Sequence, residues 1–121
     1  MIEAIAAKIG MNAPVRKWRR FKIDIRVKIR RTEEEESAVS VVRSHVISEG
    51  GMSVYATESL EIGTPVEVEF WLPGSSRELR LRALIRNRNG FRCGMEFVEL
   101  TAADRMLIHG YLQTGPHRAQ A

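Results

Sequence analysis

Two short segments of the sequence combine residue types that could bind a phosphorylated ligand. The first is the basic run Arg16-Lys17-Trp18-Arg19-Arg20. Arginines four residues apart can close over a phosphate, because each guanidinium presents a fork of donors that matches two phosphate oxygens. The same fork matches O6 and N7 of guanine, and its plane can stack on a base. Taken alone, this spacing is common by chance in a basic stretch.

The second segment is Ser48-Glu49-Gly50-Gly51, which falls at a turn between two predicted strands. A serine hydroxyl followed by glycines would let a ligand approach the backbone amides closely. An ordinary turn explains the same residues, and for this segment considered alone the ordinary turn is the better interpretation.

Patterns typical of catalysis or metal binding are missing from the sequence. It has no Walker, GxGxxG, GxSxG or HExxH motif, and the histidines His45, His109 and His117 are scattered. His45 is three residues from Ser48, but no orienting acid completes a triad. Cys93 has the core-facing parity of a predicted strand, which indicates a buried, unreactive thiol. No His, Cys or carboxylate cluster has metal-ligand spacing. We therefore expect a protein that is not an enzyme and has no cofactor or metal.

Length and composition limit the architecture and the compartment. The 121 residues make one domain with its own core. A single cysteine cannot form an internal disulfide, which fits a reducing compartment. No run approaches the roughly 18 apolar residues of a membrane span, and the first residues lack the basic region of a signal peptide. These features predict a cytoplasmic protein.

The positive charge of the chain is concentrated in one segment. The whole chain has a net charge of +4, but residues 16–31 contain nine Lys or Arg and one Asp, a net charge of +8. Such a segment suits a phosphate, a nucleic acid or an anionic membrane. A solvated edge strand protected by basic side chains is the alternative interpretation.

The hydrophobic pattern predicts a short helix at residues 2–9, then six strands and a closing helix. The six predicted strands cover residues 21–30, 38–47, 52–56, 66–72, 79–85 and 91–97. Residues 87–90 are predicted as a turn, Gly94 as a bulge or point of close approach, and Trp71 as a packed side chain. Thr101 and Asp104 resemble a capping box, and Leu100, Ala103, Leu107 and Tyr111 follow at helical spacing.

In this order and spacing, the features resemble those of the PilZ domain, whose members bind the bacterial second messenger cyclic di-GMP. The RxxxR motif of that family matches Arg16 and Arg20. Its (Asp/Asn)xSxxG motif falls on residues 46–51, its GTxVxVxF strand on residues 63–70 and its last strand on residues 86–97. The resemblance implies a mainly β fold, a six-stranded antiparallel barrel with a C-terminal helix, over residues 16–113. Residues 1–15 would form an N-terminal helix and linker, and residues 114–121 a tail.

One position departs from the family pattern. Val46 stands where the family has Asp or Asn, a side chain that accepts a hydrogen bond from the guanine edge. Valine cannot accept one, and the loss of a base-edge contact costs about 1–3 kcal/mol. Strand alternation places the neighbouring His45 on the opposite face, so we do not expect it to substitute. Arg19 is a candidate for an additional phosphate or guanine contact.

The resemblance implies a cyclic di-GMP receptor or adaptor in which the ligand lies between the basic run and the 48–51 turn. The candidate ligand residues are Arg16, Arg19, Arg20, Val46, Ser48, Gly50 and Gly51. Ordering of the N-terminal segment on binding would pass the signal to a downstream protein. One alternative, favoured by Val46, is a PilZ-fold interaction module that has lost the ligand. Another is a nucleic-acid or acidic-surface binder that uses residues 16–31, and we consider a nucleic-acid partner the weakest of the three.

Overall fold

The structure, a computed structural model, describes residues 19–33, 38–57 and 60–114. The predicted N-terminal helix, Arg16 and Trp18 lie outside the described residues. In chain order the elements are β1 (Phe21–Lys22), β2 (Arg26–Arg31), β3 (Ser40–Ile47), β4 (Gly51–Tyr55), β5 (Pro65–Phe70), β6 (Leu79–Asn89), β7 (Arg92–Val98) and α1 (Ala102–Thr114).

The strands form a closed antiparallel barrel. Hydrogen bonding runs in the order β3, β2, β5, β6, β7, β4, and β4 pairs again with β3, so that the sheet closes on itself. The short β1 pairs with the far end of β3 and extends the line of β2. The barrel therefore has six strand positions, and the predicted mainly β fold with a C-terminal helix is confirmed.

The first predicted strand is interrupted by a bulge at residues 23–25. Between Lys22 and Arg26 the chain has one residue more than the facing stretch of β3, because Lys22 pairs with Val46 and Arg26 with Arg43. At this bulge the buried hydroxyl of Ser44 replaces backbone hydrogen bonds that the two strands would otherwise make. It accepts from the Ile25 N–H at 2.9 Å and donates to the Ile23 carbonyl at 2.5 Å. A backbone that would otherwise lack partners is thus satisfied inside the protein.

The barrel interior is filled by the alternating apolar residues that the sequence predicted. Val27, Val54 and Val66 are fully buried, and the Phe70 and Phe97 rings stack with their centroids 6.3 Å apart. Cys93 is also fully buried, and burial raises its pKa although Arg88 opposes the shift. The predicted burial of this thiol is confirmed, and burial disfavours the nucleophilic thiolate.

Helix α1 buries a face slightly different from the predicted one. Ile108 and Leu112 join the core, Leu107 and Tyr111 are half-buried against it, and Ala103 is exposed. The spacing located the helix correctly, but it did not identify the two most buried side chains. Trp71, expected to pack, is 53% exposed, and its indole N–H donates to the Ser75 carbonyl at 2.8 Å. No helix among the described residues is long and apolar enough to cross a membrane.

The N-terminus of α1 makes one of the two hydrogen bonds of a capping box. The Thr101 hydroxyl accepts from the Asp104 N–H at 3.0 Å, as predicted for an N-cap. The Asp104 carboxylate instead accepts from Arg77 at 3.0 Å. This ion pair fastens the first turn of the helix to the segment that leads into β6.

The outward charges of β2 are opposed by acidic residues on β5. Arg30 forms an ion pair with Glu67, Lys28 is the register partner of Glu69, and Arg80 of β6 bonds Glu69 at 3.0 Å. Opposite charges on facing positions stabilise a sheet. The basic side chains of residues 26–31 therefore belong to a structural strand with acidic partners. The alternative interpretation of this segment as an edge strand is wrong, because β2 pairs with both β3 and β5.

We expect Ser44→Ala to lower the free energy of unfolding by about 2–3 kcal/mol, because two buried backbone groups lose their partner. Denaturant unfolding followed by circular dichroism measures the change. Ser76→Ala is the matched control: Ser76 is exposed, and its loss should alter stability by less than about 0.5 kcal/mol. Equal stabilities for the two variants would contradict this account of the bulge.

Candidate functional site

A cleft of about 310 Å³ lies on the outer surface of the barrel, over β3, β4, β7 and β6. Five of the seven candidate ligand residues line it, namely Arg20, Val46, Ser48, Gly50 and Gly51. The cleft thus brings the end of the basic run to the 48–51 turn. Arg19 does not line it, since its guanidinium lies over the Phe21 ring at 5.1 Å from the centroid. Arg16 lies outside the described residues.

Four paired residues, one from each strand, form a row across the four strands beneath the cleft. Val46 pairs with Ser53, Ser53 with Gly94, and Gly94 with Asn87. Facing residues of antiparallel strands lie on the same side of the sheet, so this row lies on the outer face. Val46 is only 4% exposed, yet it is not part of the core cluster. Val46 is thus a buried apolar side chain at the base of the cleft, outside the main core cluster.

A bulge in β3 places His45 on the same face as Val46. The β3–β4 register shifts between Ser44 and Val46, so that both residues 45 and 46 lie opposite Ser53. Nδ1 of His45 is 3.2 Å from the Ser53 hydroxyl, and the ring meets Tyr55 edge-on at 5.3 Å. Our expectation that His45 faces away from Val46 is therefore wrong, because simple alternation fails where a residue is inserted.

A second bulge, in β6, directs Asn87 toward the cleft. The β6–β7 register shifts between Ile85 and Asn87, and β6 continues to Asn89. The turn predicted for residues 87–90 therefore begins too early. Arg86, the inserted residue, bonds Glu96 at 2.7 Å on the outer surface. The sequence could not identify Asn87 as part of the site, because Asn-rich stretches favour turns.

The 48–51 turn is held by its own serine. The Ser48 hydroxyl accepts from the N–H groups of Gly50 and Gly51, both at 3.2 Å. A Cβ on Gly51 would lie 2.2 Å from the Met95 carbonyl oxygen, so the close approach of β7 requires glycine there. Ser48 and Gly51 therefore have structural roles that fix the cleft wall, and the two amides point at the serine.

A hydrogen bond between side chains joins this turn to the C-terminal helix. Glu49 and His109 are hydrogen-bonded partners, and the Glu49 side chain is the less exposed of the two. The wall of the cleft is therefore in direct contact with α1, 60 residues further along the chain.

Positive charge gathers beside His45. Burial lowers the pKa of this histidine, and the nearby charges of Arg92, Lys22 and Arg20 lower it further. Arg20, Arg92 and His45 border a smaller hollow, of about 150 Å³, that adjoins the cleft. A concave surface with cationic side chains at its edge suits an anionic ligand. Among the described residues, no three His, Cys, Asp or Glu side chains cluster closely enough to hold a metal ion.

The model of one protein family matches residues 14–114, and its description is PilZ domain. The chain belongs to the PilZ domain family. No curated protein sequence matches this PilZ domain. The matched segment includes all the described strands and the helix, together with Arg16.

Solved structures with the same fold are similar to this PilZ domain at low sequence identity. The inhibitor of motility of Bacillus subtilis is 23% identical with a TM-score of 0.68; the match covers 81% of this chain and 49% of that one. The PilZ domain of CeSA from a cellulose-synthesizing bacterium is 22% identical with a TM-score of 0.62, covering 78% and 98%. The PilZ domain of YcgR from Escherichia coli, solved with c-di-GMP, is 14% identical with a TM-score of 0.64, covering 79% and 87%. This chain thus spans about half the length of the motility inhibitor.

We expect protonation of His45 to make stability depend on pH. Because its pKa is lowered in the folded state, the unfolded chain takes up the proton first as the pH falls below about 6.5. The folded protein should therefore lose stability between pH 7.5 and 5.5, and His45→Gln should lose less. Denaturant unfolding of both proteins at the two pH values measures the difference. Parallel losses would contradict the assignment to His45.

Proposed function

We propose that this protein is a non-catalytic receptor or adaptor for cyclic di-GMP. The observation that carries the proposal is the outer cleft, which brings Arg20 of the RxxxR motif against the Ser48–Gly51 turn in a chain of the PilZ family. The similarity to the Escherichia coli domain solved with c-di-GMP supports it. The ligand has two phosphates and two guanines, and the cleft has cationic and apolar surfaces next to one another.

In this proposal the arginines provide the electrostatic grip. Arg20 lines the cleft, and Arg16 precedes it by four residues, so both guanidinium forks can reach the same phosphodiester ring or one guanine. Arg19, over the Phe21 ring, fixes the point where the basic run meets the barrel. A cationic rim also raises the association rate of an anionic ligand.

The opposite wall of the cleft is rigid. Ser48 and Gly51 shape the turn rather than donating free amides, and Val46 provides an apolar surface for a base. We further propose that capture of the ligand orders the basic run before β1. That change would present a new surface to a downstream protein, in keeping with an adaptor that acts through another molecule.

We expect the protein to bind cyclic di-GMP in isothermal titration calorimetry, and Arg16→Ala or Arg20→Ala to abolish the signal, because each removes a charge-assisted fork. Arg105→Ala is the matched control, since it removes one positive charge from an exposed position of α1 and should leave binding unchanged. No heat and no competition at high micromolar ligand would refute the proposed function.

The second candidate function is an interaction module that has lost the ligand, and Val46 is the observation that favours it. A nucleic-acid binder is less well supported, because Glu67 and Glu69 oppose the basic strand. A steep salt dependence of DNA or RNA binding would be its signature.

We expect Val46→Asn to tighten cyclic di-GMP binding roughly 10-fold, because an amide in the cleft can bond a base edge. Val41→Asn is the matched control, since Val41 is on the same strand but 58% exposed and does not line the cleft. Calorimetry on both variants, with thermal melts to verify folding, tests the role of this position. Equal affinity of Val46→Asn and the wild type would refute it.

A further inference from the structure

We propose that Asn87 recognises a guanine edge in the cleft and is therefore a specificity-determining residue of this chain. The inference rests on the proposed binding of cyclic di-GMP. It concerns a side chain outside both sequence motifs, on a strand that neither motif includes.

The amide of Asn87 lies over the backbone of the neighbouring strand. A Cβ built on Gly94 would be 2.6 Å from Oδ1 and 2.9 Å from Nδ2 of Asn87. The amide thus occupies the space that any other residue at position 94 would fill with its own side chain. The β6 bulge turns Asn87 outward, and Gly94 lets its side chain lie across β7 toward Ser53.

The Asn87 amide is available for a ligand. It forms no hydrogen bond with any of the described residues, and it is exposed in the cleft. An amide presents an acceptor and donors side by side. Guanine presents the matching set on one edge, with the N1–H and the 2-amino group as donors and O6 as acceptor.

Other polar side chains of the cleft are already engaged. The Ser48 hydroxyl holds its turn, the Ser53 hydroxyl contacts His45, and Arg86 is paired with Glu96. Recruiting any of them would break an existing bond, whereas Asn87 would gain its partners on binding. Val46, on the far side of the same row, offers no polar atom, which leaves more of the base recognition to this amide.

The first test compares affinities for cyclic di-GMP by calorimetry. We expect Asn87→Ala to bind 10- to 100-fold more weakly than the wild type, as for the loss of a base-edge contact. Gln113→Ala is the matched control: it removes a side-chain amide from an exposed position of α1 that lines neither the cleft nor the adjoining hollow, and it should bind within about twofold of the wild type. Equal losses in both variants, or none in Asn87→Ala, would overturn the inference.

The second test observes the amide itself. In ¹⁵N-labelled protein the side-chain NH₂ resonances of Asn87, assigned by their loss in Asn87→Ala, should shift on titration with cyclic di-GMP, and those of Gln113, on the exposed face of α1, should not. Gly94→Ala should keep the fold, because the three atoms nearest to its methyl group belong to the flexible end of the Asn87 side chain, yet weaken binding by displacing the amide. Stationary Asn87 resonances in a protein that binds the ligand would overturn this inference alone. Absence of binding by the wild type would overturn both it and the proposed function.

Discussion

The pairing of β3 with strands on both of its edges is the constraint on which the rest of the structure depends. One edge of β3 pairs with β1 and β2, the other with β4, and this last pairing closes the barrel. The register of β3 must fit its partner strands on both edges, and a bulge on each side makes this possible. Ser44 bonds across the bulge at residues 23–25, and the insertion of His45 adjusts β3 to β4. A closed barrel has no unpaired strand edge. Here the two bulges absorb the differences in register that this closure requires.

The cleft is a consequence of the same irregularities. A regular barrel would alternate its side chains strictly and present a uniform convex face. The bulges in β3 and β6 place consecutive residues on the outer face, namely His45 with Val46 and Arg86 with Asn87. Between these two bulges, β4 contributes Ser53 and β7 contributes Gly94, and the two residues form the floor of the cleft. Bulges that redirect side chains beside binding sites are a recurrent use of this feature.

Two glycines of the site, Gly51 and Gly94, are needed for different physical reasons. Gly51 is required by the backbone of β7, whose Met95 carbonyl leaves no space for a Cβ. At Gly94 the atoms nearest to a Cβ belong to the flexible amide of Asn87, so its small size serves the position of Asn87 rather than the fold. The wall that contains Gly51 also contacts α1 through Glu49 and His109, which gives the C-terminal helix a direct link to the cleft.

The sequence by itself determined where the strands and the closing helix lie and which side chains fill the core. The period-two pattern located six strands, the parity of Cys93 predicted its burial, and Thr101 marked the helix start, because these features depend on neighbours along the chain. The ordered motifs also indicated the family and the two walls of the cleft. Only the tertiary structure decided where alternation fails. The outward His45, the cleft position of Asn87 and the exposure of Trp71 each depend on the register of partner strands or on local packing, and that information is non-local.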